Sequence, residues 1–462
     1  MIVMKFGGSS VATGKNIASL PEIISSYSDK KIVVVISALE GVTDSLAGIT
    51  GVAKKGDLIS IRHFMKELLN RHQDVMQEAV MDKEIKKEVR KIILNKIQEL
   101  ENTLVGVAYI KEVTKRSMDR ILSFGEQLSA PIVCGSLQSK GIKCIWLTGG
   151  EAGIITDSNF GEANPLMEIT SHQVKSKIIP LLNKGQIVVV TGFIAENQDG
   201  EITTLGRGGS DYTATILASA LGANKVFIWT DVDGIMTADP KIVPEARIVP
   251  HLSFQEAIES AVFGAKKMHP KALEPAMLSN IPVVIKNVFN PSVSGTLISS
   301  ESENGRPIKL VNLIKNVALI NVRGGGMVGA PGTAAKVFQT VAKDGINILM
   351  ISQSVSESDI SFVIRREELS RARSSLEISL LGTGLVREIT NEDDICIISA
   401  VGAAIKDTPG IASRLFSALA KENINVRMIA QGSSELNISL VVKEKDGIRA
   451  VKSIHKEFAL FE

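Results

Sequence analysis

Short apolar runs alternate with segments of helical periodicity from the N-terminus to about position 300. Five of these runs are five or six residues long and mostly apolar, which predicts buried strands; they are Ile32 to Ser37, Lys143 to Leu147, Gln186 to Thr191, Lys225 to Trp229 and Pro282 to Lys286. Helical patterns lie between them, for example over residues 214–220 and 253–261. Strands that alternate with helices predict an α/β body with a mostly parallel open sheet sandwiched by helices.

The stretch from about Ile59 to Leu104 does not show this alternation of strands and helices, because it is charged and has a helical pattern over its whole length. One face carries apolar residues, which are Ile85, Val89, Ile92, Ile93, Ile97, Leu100 and Leu104. We therefore predict a helical hairpin on the α/β body, within an insert of about residues 59–120. His63 and His72 lie in it without a partner at metal-ligand spacing, so we expect them to pack or to face solvent.

The C-terminal third of the chain repeats itself at one constant shift, which carries Pro331 onto Pro409. Pro331-Gly332 falls on Pro409-Gly410, and Ile346-Asn347 falls on Ile424-Asn425, with no gap in between. Each copy reads strand, Pro-Gly turn, helix, turn, strand, turn and strand, which predicts two small α+β domains. We place them at residues 315–390 and 393–462, behind a larger body of residues 1–300.

Length and composition limit what this chain can be. Its 462 residues are too many for one compact core, so we expect two or three domains. A formal net charge of +2 gives no reason to expect nucleic acid or a membrane surface as the main partner. The three cysteines form no CxxC pair, which is typical of reduced thiols. The chain starts with a strand pattern rather than a signal peptide, and no apolar run reaches the roughly 20 residues of a membrane span, so we expect a cytoplasmic protein.

The first candidate for chemistry is Lys5-Phe6-Gly7-Gly8-Ser9-Ser10, which ends the first strand. Two glycines let a ligand approach the backbone, their N–H groups can line a phosphate, and Lys5 can supply a charge to a phosphoryl group. The segment is not a Walker A loop, since five residues separate Gly8 from Gly14 where four are required, and Asn16 stands in place of Ser or Thr. Taken alone, the two glycines could equally form a tight turn.

The second candidate, Gly206-Arg207-Gly208-Gly209-Ser210-Asp211, precedes a predicted helix from Asp211 to Ala220. Three glycines, a cation, a hydroxyl and a carboxylate at a helix N-terminus favour anion binding through free N–H groups and the helix dipole. The alternative is that Ser210 or Asp211 only caps the helix. A cap does not require the neighbouring Gly-Arg-Gly-Gly sequence, so we favour the anion site.

Together these two segments resemble those of the aspartate kinases in the amino-acid kinase superfamily. Three further segments carry the same resemblance: Ser123-Phe124-Gly125-Glu126, Trp229 to Ile235, and Phe263-Gly264-Ala265-Lys266 with His269-Pro270. The tandem repeat resembles the two ferredoxin-like ACT domains of such kinases. The resemblance covers essentially the whole chain and implies the amino-acid kinase fold. It also implies transfer of the ATP γ-phosphoryl group to the β-carboxylate of L-aspartate, giving 4-phospho-L-aspartate at the start of lysine, threonine and methionine biosynthesis.

The resemblance implies roles for individual residues. Lys5 would stabilise the charge on the transferring phosphoryl group, and Asp211 would orient the cationic groups around it. Arg207 would clamp the α-carboxylate of aspartate, and Glu126 would hold its ammonium. The remaining implied substrate contacts are Ser37, Thr43, Gly209 and Ser210.

For the nucleotide, the resemblance implies contacts from the first glycine segment and from later segments: Lys5, Gly7, Gly8, Ser9, Thr230, Asp231, Met236, Lys241 and Lys266. Two of them depart from the family, since Met236 stands where Tyr is common and Lys241 where Arg is common. A thioether can still pack on a purine face. We expect ATP, with Mg²⁺ held mainly by the nucleotide phosphates, and no metal site made by the protein.

Amide side chains recur at equivalent positions of the repeat: Asn347, Gln353, Asn425 and Gln431. They can bind the polar groups of an amino acid, although Asn after a helix is also ordinary turn chemistry. The segment around Gln353 resembles that of threonine-responsive aspartate kinases, so threonine is the first expected allosteric effector and lysine the second. ACT sites usually form between two such domains, which implies a homodimer or homotetramer.

Gly324 to Gly329 satisfies the GxGxxG pattern after a strand, but the segment is too short for a dinucleotide-binding half, so we do not expect NAD binding. Two alternatives to an aspartate kinase are another kinase of the superfamily, such as a glutamate kinase, and a non-catalytic amino-acid sensor. The helical insert and the repeat argue against the first, and the intact Lys5, Arg207 and Asp211 argue against the second. Because the chain ends at Glu462, directly after the second copy, we expect no fused homoserine dehydrogenase domain.

Overall fold

The computed structural model describes residues 1–262, 269–301, 306–382, 384–432 and 434–461. The chain divides into two compact units. The first comprises residues 1–235, 250–254 and 266–301, and the second comprises residues 236–249, 255–265 and 302–462. Two short pieces that precede position 300 therefore belong to the second unit, and no pattern in the sequence indicates this interleaving.

Two sheets lie in the described part of the first unit. Its strands are β1 (Ile2–Phe6), β2 (Ile32–Ile36), β3 (Cys144–Leu147), β4 (Ile155–Thr156), β5 (Ile187–Thr191), β6 (Ile194–Asn197), β7 (Ile202–Thr204), β8 (Lys225–Thr230), β9 (His251–Ser253), β10 (Val283–Asn287) and β11 (Thr296–Ser299). Eight of them pair in the order β3-β5-β2-β1-β8-β10-β11-β9, with every pair parallel except β10 with β11. The pairing confirms the predicted mostly parallel sheet. Its central strands β1 and β2 are buried on both faces, and Lys5 is the one charged residue in them. The short strands β4, β6 and β7 form a separate small sheet.

Helices connect and cover these strands. They are α1 (Gly14–Ser25), α2 (Val42–Ala53), α3 (Leu58–Ala79), α4 (Lys83–Ile110), α5 (Lys115–Ser139), α6 (Met167–Asn183), α7 (Gly209–Leu221), α8 (Phe254–Val262) and α9 (Glu274–Leu278). Side chains alternate along β1, so Met4 and Phe6 enter the large apolar core while Lys5 faces the other side, toward α7. Val3, Val33 and Val35 are buried on the same side as Lys5, so the lysine is a single cation on an otherwise apolar face of these two strands.

The predicted helical hairpin is present as α3 and α4, which pack on each other, and α4 packs in turn on α5. The exposed side chain of His63 pairs with Glu67 at 3.2 Å. His72 is buried, its Nδ1 lies 2.8 Å from the Leu68 carbonyl oxygen, and burial lowers the pKa of His72 to about 4. His72 is therefore a neutral packing residue at neutral pH, and His63 is a surface residue.

The described part of the second unit contains a six-stranded antiparallel sheet with helices packed on it. Its strands are β12 (Leu310–Arg323), β13 (Met350–Gln353), β14 (Asp359–Arg365), β15 (Glu388–Val401), β16 (Met428–Ala430) and β17 (Asn437–Lys443), in the order β13-β14-β12-β15-β17-β16. Besides most of α8, its helices are α10 (Thr333–Lys343), α11 (Leu369–Leu380), α12 (Ile411–Lys421) and α13 (Gly447–Glu457). The shift that relates the two copies in sequence superimposes α10 on α12 and β14 on β17. The two α+β copies are confirmed.

The two copies share their longest strands. The first half of β12, Leu310–Ile314, pairs with Val401 to Ile397 of β15, and this part of β15 also pairs with β17 of the second copy. The other half of β12, Val317–Arg323, pairs with β14 of the first copy. The half of β12 that comes first in the chain therefore belongs to the sheet of the second copy, and the other half belongs to the sheet of the first copy. Arg366 and Glu444, which occupy equivalent positions of the two copies, form an ion pair with each other.

The glycines of the GxGxxG segment serve backbone packing in the second unit. A Cβ on Gly324 would lie 2.1 Å from the Leu385 carbonyl oxygen, and one on Gly326 would lie 2.2 Å from the Gly384 carbonyl oxygen. Both positions therefore exclude a side chain for steric reasons. Within the described parts of the chain, no helix combines the length and apolar character that crossing a membrane requires.

Candidate active site

A cavity of about 410 Å³ opens in the first unit, next to the carboxyl ends of β1 and β2. Ligands of open α/β sheets bind at such ends, because the loops and helix N-termini that follow the strands converge there. Nine of the residues predicted to form a site line this cavity: Lys5, Gly8, Ser37, Thr43, Glu126, Arg207, Gly209, Ser210 and Asp211. The structure thus brings together segments that lie far apart in sequence.

Lys5 and Asp211 form a close ion pair at the base of the cavity. The Lys5 Nζ lies 2.6 Å from Asp211 Oδ1, and both side chains are largely buried. Lys5 comes from the side of β1 that faces α7, and Asp211 from the first turn of α7. Asp211 therefore holds the lysine ammonium in one position at the cavity.

Two helix N-termini at the cavity are free of side-chain caps. The N-cap of α2 is Gly41, with φ +75°, and that of α7 is Gly208, with φ +73°; neither helix has a side-chain cap hydrogen bond. Ser210 and Asp211 therefore do not cap α7, and the alternative explanation of the second glycine segment does not hold. Uncapped N–H groups and the positive ends of two helix dipoles favour an anionic ligand at this cavity.

Glu126 is a buried carboxylate in the wall of the cavity. It lies within α5, and the preceding Gly125 allows the helix to approach Ala38, whose Cβ would be only 2.8 Å from a Cβ at position 125. Among the described residues, Glu126 Oε2 has no hydrogen-bond partner. Burial raises the pKa of Glu126 to about 8, since desolvation penalises the charged form more than the Ala38 backbone N–H stabilises it. An incoming cation would supply the missing partner.

Polar groups at the mouth of the cavity differ in their exposure. Arg207 is exposed and takes part in no ion pair that the described residues show. Thr43 lies in the first turn of α2 and is half-buried, while the Ser37 carbonyl oxygen accepts a hydrogen bond of 2.8 Å from Ser129 Oγ. The guanidinium can therefore swing toward a ligand, whereas the Ser37 backbone is fixed to α5.

The first glycine segment is held against β8 and the loop after β2. The Gly7 N–H donates to the Trp229 carbonyl oxygen at 3.2 Å, and a Cβ on Gly8 would lie 3.2 Å from the Ala38 carbonyl oxygen. Ser9 directs its carbonyl oxygen to Asn16 Nδ2 at 3.0 Å. Gly8 reaches the cavity, whereas Gly7 and Ser9 lie beside it in sequence and do not line it.

Of the nucleotide residues predicted after β7, the four that the structure describes do not line this cavity. Thr230 ends β8, and its hydroxyl donates to Asp231 Oδ1 at 3.0 Å. Met236 and Lys241 belong to the second unit, where Met236 is half-buried and Lys241 is exposed. Lys266 lies outside the described residues.

Sequence reasoning missed several residues of the cavity, among them Glu40, Asp44 and Phe193. Phe193 has φ +66°, a left-handed conformation that is uncommon for a bulky residue and that clusters at functional sites. Hydrogen bonds fix it, because its N–H donates to Thr213 Oγ1 at 3.0 Å and its carbonyl oxygen accepts from the Leu205 N–H at 2.9 Å. The only sequence signal for Phe193 is its position after Gly192, which directly follows the end of β5 at Thr191.

Asp119 is another residue without a sequence signal. It is fully buried, and its carboxylate accepts hydrogen bonds from the Thr204 N–H, the Thr204 hydroxyl and the Gly161 N–H, at 2.8 to 2.9 Å. Thr204 ends β7, two residues before the second glycine segment. Asp119 therefore anchors the chain from which Arg207 and Asp211 enter the cavity.

The four amide residues predicted to bind an effector lie in the second unit. Asn347, Gln353, Asn425 and Gln431 are all exposed, and no side-chain hydrogen bond involves them within the described part of the chain. Gln353 ends the edge strand β13, and Gln431 follows the edge strand β16. The two outer strands lie close to each other, with Met350 of β13 and Met428 of β16 in one buried cluster. The exposed amides of Gln353 and Gln431 thus lie at the ends of neighbouring strands.

Comparison with known proteins gives the same outline. Residues 1–287 match the model of the amino acid kinase family, and residues 320–380 and 398–458 match an ACT domain. The chain is 36% identical to the chloroplastic aspartokinase 3 of Arabidopsis thaliana, with 99% of this chain and 81% of that protein covered. It is 34% identical to the chloroplastic bifunctional aspartokinase/homoserine dehydrogenase 2 of the same plant, with 99% of this chain and 50% of that protein covered. The chain spans about half the length of the bifunctional relatives it matches.

Among solved structures, the chain resembles E. coli aspartokinase III in two states. The complex with aspartate and ADP has a TM-score of 0.83 at 28% identity and covers 99% of this chain and 100% of that one. The complex with lysine and aspartate has a TM-score of 0.81 at 28% identity, with 99% of each chain covered.

Proposed function

Because the chain belongs to the amino acid kinase family and, within it, to the aspartokinases with ACT domains, we propose that it transfers the γ-phosphoryl group of ATP to the β-carboxylate of L-aspartate. The observation that carries the proposal is the cavity that joins the Lys5–Asp211 ion pair, the buried Glu126 and the exposed Arg207. Lys5 is suited to the phosphoryl group of ATP, Glu126 to the ammonium of aspartate and Arg207 to its α-carboxylate. The E. coli relative, whose structure contains aspartate and ADP, supports the same assignment.

In the proposed reaction an oxygen of the aspartate β-carboxylate attacks the γ-phosphorus. The new P–O bond forms as the bond between the γ-phosphorus and the β,γ-bridging oxygen breaks, so that ADP leaves and 4-phospho-L-aspartate remains. The attacking carboxylate is already ionised, and no general base is needed. The work left to the protein is positioning and charge stabilisation, as in other phosphoryl transfers.

Lys5 suits the charge-stabilising role. Its ammonium is held by Asp211 at 2.6 Å in a mostly buried setting, where a fixed charge acts more strongly than it would in water. The free N–H groups at the start of α7 add further positive potential at the same place. The pair Lys5 and Asp211 is the proposed catalytic unit.

Glu126 and Arg207 suit the recognition of aspartate. The unpartnered Glu126 Oε2 would accept the α-ammonium, and the forked guanidinium of Arg207 would bind the α-carboxylate in a bidentate manner. The α2 and α7 N-termini, with Ser37, Thr43, Gly209 and Ser210, would complete the pocket around the β-carboxylate.

For the nucleotide we propose the remaining contacts implied by the resemblance, from Gly7, Gly8 and Ser9 and from the later segments that carry Thr230, Asp231, Met236 and Lys241. Mg²⁺ would arrive on the nucleotide phosphates and neutralise their charge. Lys266 completes the proposed set.

For regulation we propose that an amino acid binds the ACT copies and changes kinase activity. The exposed amides of Asn347, Gln353, Asn425 and Gln431, near the outer strands of the sheet, support binding there. Threonine is the effector suggested by the sequence, and the lysine complex of the E. coli relative makes lysine an equal candidate. As the resemblance implies, we also propose that the chain forms a homodimer or homotetramer through its ACT copies.

For pathway and location, we propose the first step of lysine, threonine and methionine biosynthesis in the cytoplasm. The three cysteines are free and buried, which agrees with a reducing compartment.

The proposal is tested by ADP release from the purified chain with aspartate or glutamate as acceptor, each with and without threonine or lysine. We expect turnover with aspartate and at least a hundredfold lower kcat/KM with glutamate, because a longer side chain misplaces the carboxylate. Equal turnover of glutamate would contradict the aspartate assignment. Lack of ATP turnover with both acids would contradict the kinase assignment.

A further inference from the structure

The segment of residues 236–249, which carries two of the proposed nucleotide contacts, is packed within the second unit. It folds back on itself, because Met236 pairs with Ile248 in an antiparallel bridge and the Thr237 N–H donates to the Arg247 carbonyl oxygen at 2.8 Å. Lys241 lies at its turn, where its N–H donates to Asp239 Oδ1 at 2.9 Å. The position of Met236 and Lys241 therefore depends on what holds this segment.

Apolar contacts hold one side of the segment. Ala238 and Val243 are buried in the core cluster of the second ACT copy. The same cluster contains Val311 of β12, Phe458 and Leu460. The Val311 N–H also donates to the Thr237 carbonyl oxygen at 2.8 Å. The segment is thus part of the regulatory core, although a long stretch of the first unit separates it in sequence from the rest of that core.

A side chain of the last helix adds a polar contact to the segment. His455 in α13 is 2% exposed, and its Nε2 lies 3.0 Å from Thr237 Oγ1. Thr237 is 7% exposed, and its hydroxyl oxygen also accepts the Arg247 N–H at 3.0 Å. The Thr237 side chain therefore links the two ends of the segment to His455. A buried hydrogen bond of this kind fixes geometry, because loss of one partner leaves the other unsatisfied.

We propose that His455 is a positioning residue for nucleotide binding: through Thr237 it fixes the 236–249 segment, and with it Met236 and Lys241, to the second ACT domain. The inference rests on the proposed function, in which those two residues contact the nucleotide. His455 itself touches neither substrate. Its effect should appear in the affinity for nucleotide and not in the affinity for aspartate, whose proposed contacts are held by other elements.

Calorimetric titration of the full chain with Mg·ADP, and separately with aspartate, tests this. In His455→Leu we expect the Kd for ADP to rise roughly 3- to 10-fold, as loss of one buried hydrogen bond predicts, with the Kd for aspartate within twofold of wild type. Thr237→Val should give a similar rise, and the double variant should show no further loss. His455→Gln and Thr237→Ser retain a hydrogen-bonding group at each position and should restore most of the affinity.

Val337→Ala, in the core of the first ACT copy, is the matched control for a general loss of stability. It should lower the thermal midpoint without changing the Kd for ADP. The inference is overturned if His455→Leu lowers the thermal midpoint but binds ADP like wild type, or if the ADP and aspartate affinities fall together. A wild-type chain that binds no ADP would overturn the proposed function and this inference with it.

Discussion

Glu126 makes aspartate binding depend on pH in a direction that the structure sets. Burial raises the pKa of Glu126 to about 8 in the free protein, so at pH 6 to 7 this carboxyl is mostly protonated and neutral. An ammonium group binds its ionised form. Aspartate must therefore displace a proton from Glu126 whenever the pH lies below about 8. Its affinity should rise as the pH rises through this range.

The size of the effect follows from linkage. Below the raised pKa, each pH unit costs about 1.4 kcal/mol of binding free energy, or close to tenfold in Kd. Between pH 6 and pH 8 the Kd for aspartate should fall on the order of 50-fold and then level off. Glu126→Gln should bind aspartate weakly at every pH, with no such slope, while its affinity for ADP stays near that of wild type.

Calorimetry in buffers of different ionisation enthalpy measures both the Kd and the protons released. We expect close to one proton released per aspartate bound at pH 6.5, and none in Glu126→Gln. A pH-independent Kd between pH 6 and 8 in wild type, or proton uptake on binding, would refute the role of Glu126. So would a change in ADP affinity alone in Glu126→Gln.

The same raised pKa affects stability. The unfolded chain ionises Glu126 near its ordinary value of 4.5, whereas the folded chain keeps it protonated until about pH 8. Stability is therefore lost progressively as the pH rises from about 4.5 to 8. Glu126→Gln has no carboxyl group at this position and therefore lacks this pH-dependent loss of stability. Its thermal midpoint should increasingly exceed that of wild type over this interval, as measured by scanning calorimetry without ligand.

Three further predictions concern other groups. Lys5→Ala and Asp211→Ala should each lower kcat about a hundredfold or more with a smaller change in KM, and near-normal turnover of Lys5→Ala in a steady-state assay would exclude Lys5 from the mechanism. Arg207→Lys should raise the KM for aspartate about tenfold or more despite the conserved charge, because an ammonium cannot form the bidentate contact; an unchanged KM would exclude that contact. Gln353→Ala should relieve inhibition by threonine or lysine with an uninhibited kcat close to wild type, and Gln431→Ala should do less if one copy forms the effective site; unaltered inhibition in both would remove these amides from the effector site.

The parts of the fold that are encoded locally were predictable. Strands such as β2 and β8 are buried on both faces, so they appear in the sequence as continuous apolar runs. The tandem copies were predictable because helix and strand positions recur at one shift. The lengths of the helices were less predictable. Pro131 lies inside α5, although a proline, which lacks an N–H group, ordinarily suggests the end of a helix.

Features that depend on tertiary pairing left no local pattern. The exchange of strand halves between the two copies is set by β12 and β15, and a repeat alone does not show it. Phe193 has a left-handed backbone conformation, but it is not a glycine, so the sequence does not indicate that conformation. The hydrogen bond between His455 and Thr237 joins residues from distant parts of the sequence. In the candidate site, the two glycine segments pointed to Lys5, Arg207 and Asp211, and the resemblance implied their roles. The structure adds the distance between Lys5 and Asp211 and the burial of Glu126.

Identification of the phosphorylated atom tests the central claim most directly. The purified chain is incubated with Mg·ATP and L-aspartate in the presence of hydroxylamine, which converts an acyl phosphate into a stable hydroxamate, and the product is analysed by mass spectrometry. The account predicts the hydroxamate of aspartate on the β-carboxyl group, formed in step with ADP and absent from Lys5→Ala. ADP release without hydroxamate, or a hydroxamate on the α-carboxyl group or on glutamate at a comparable rate, would contradict it.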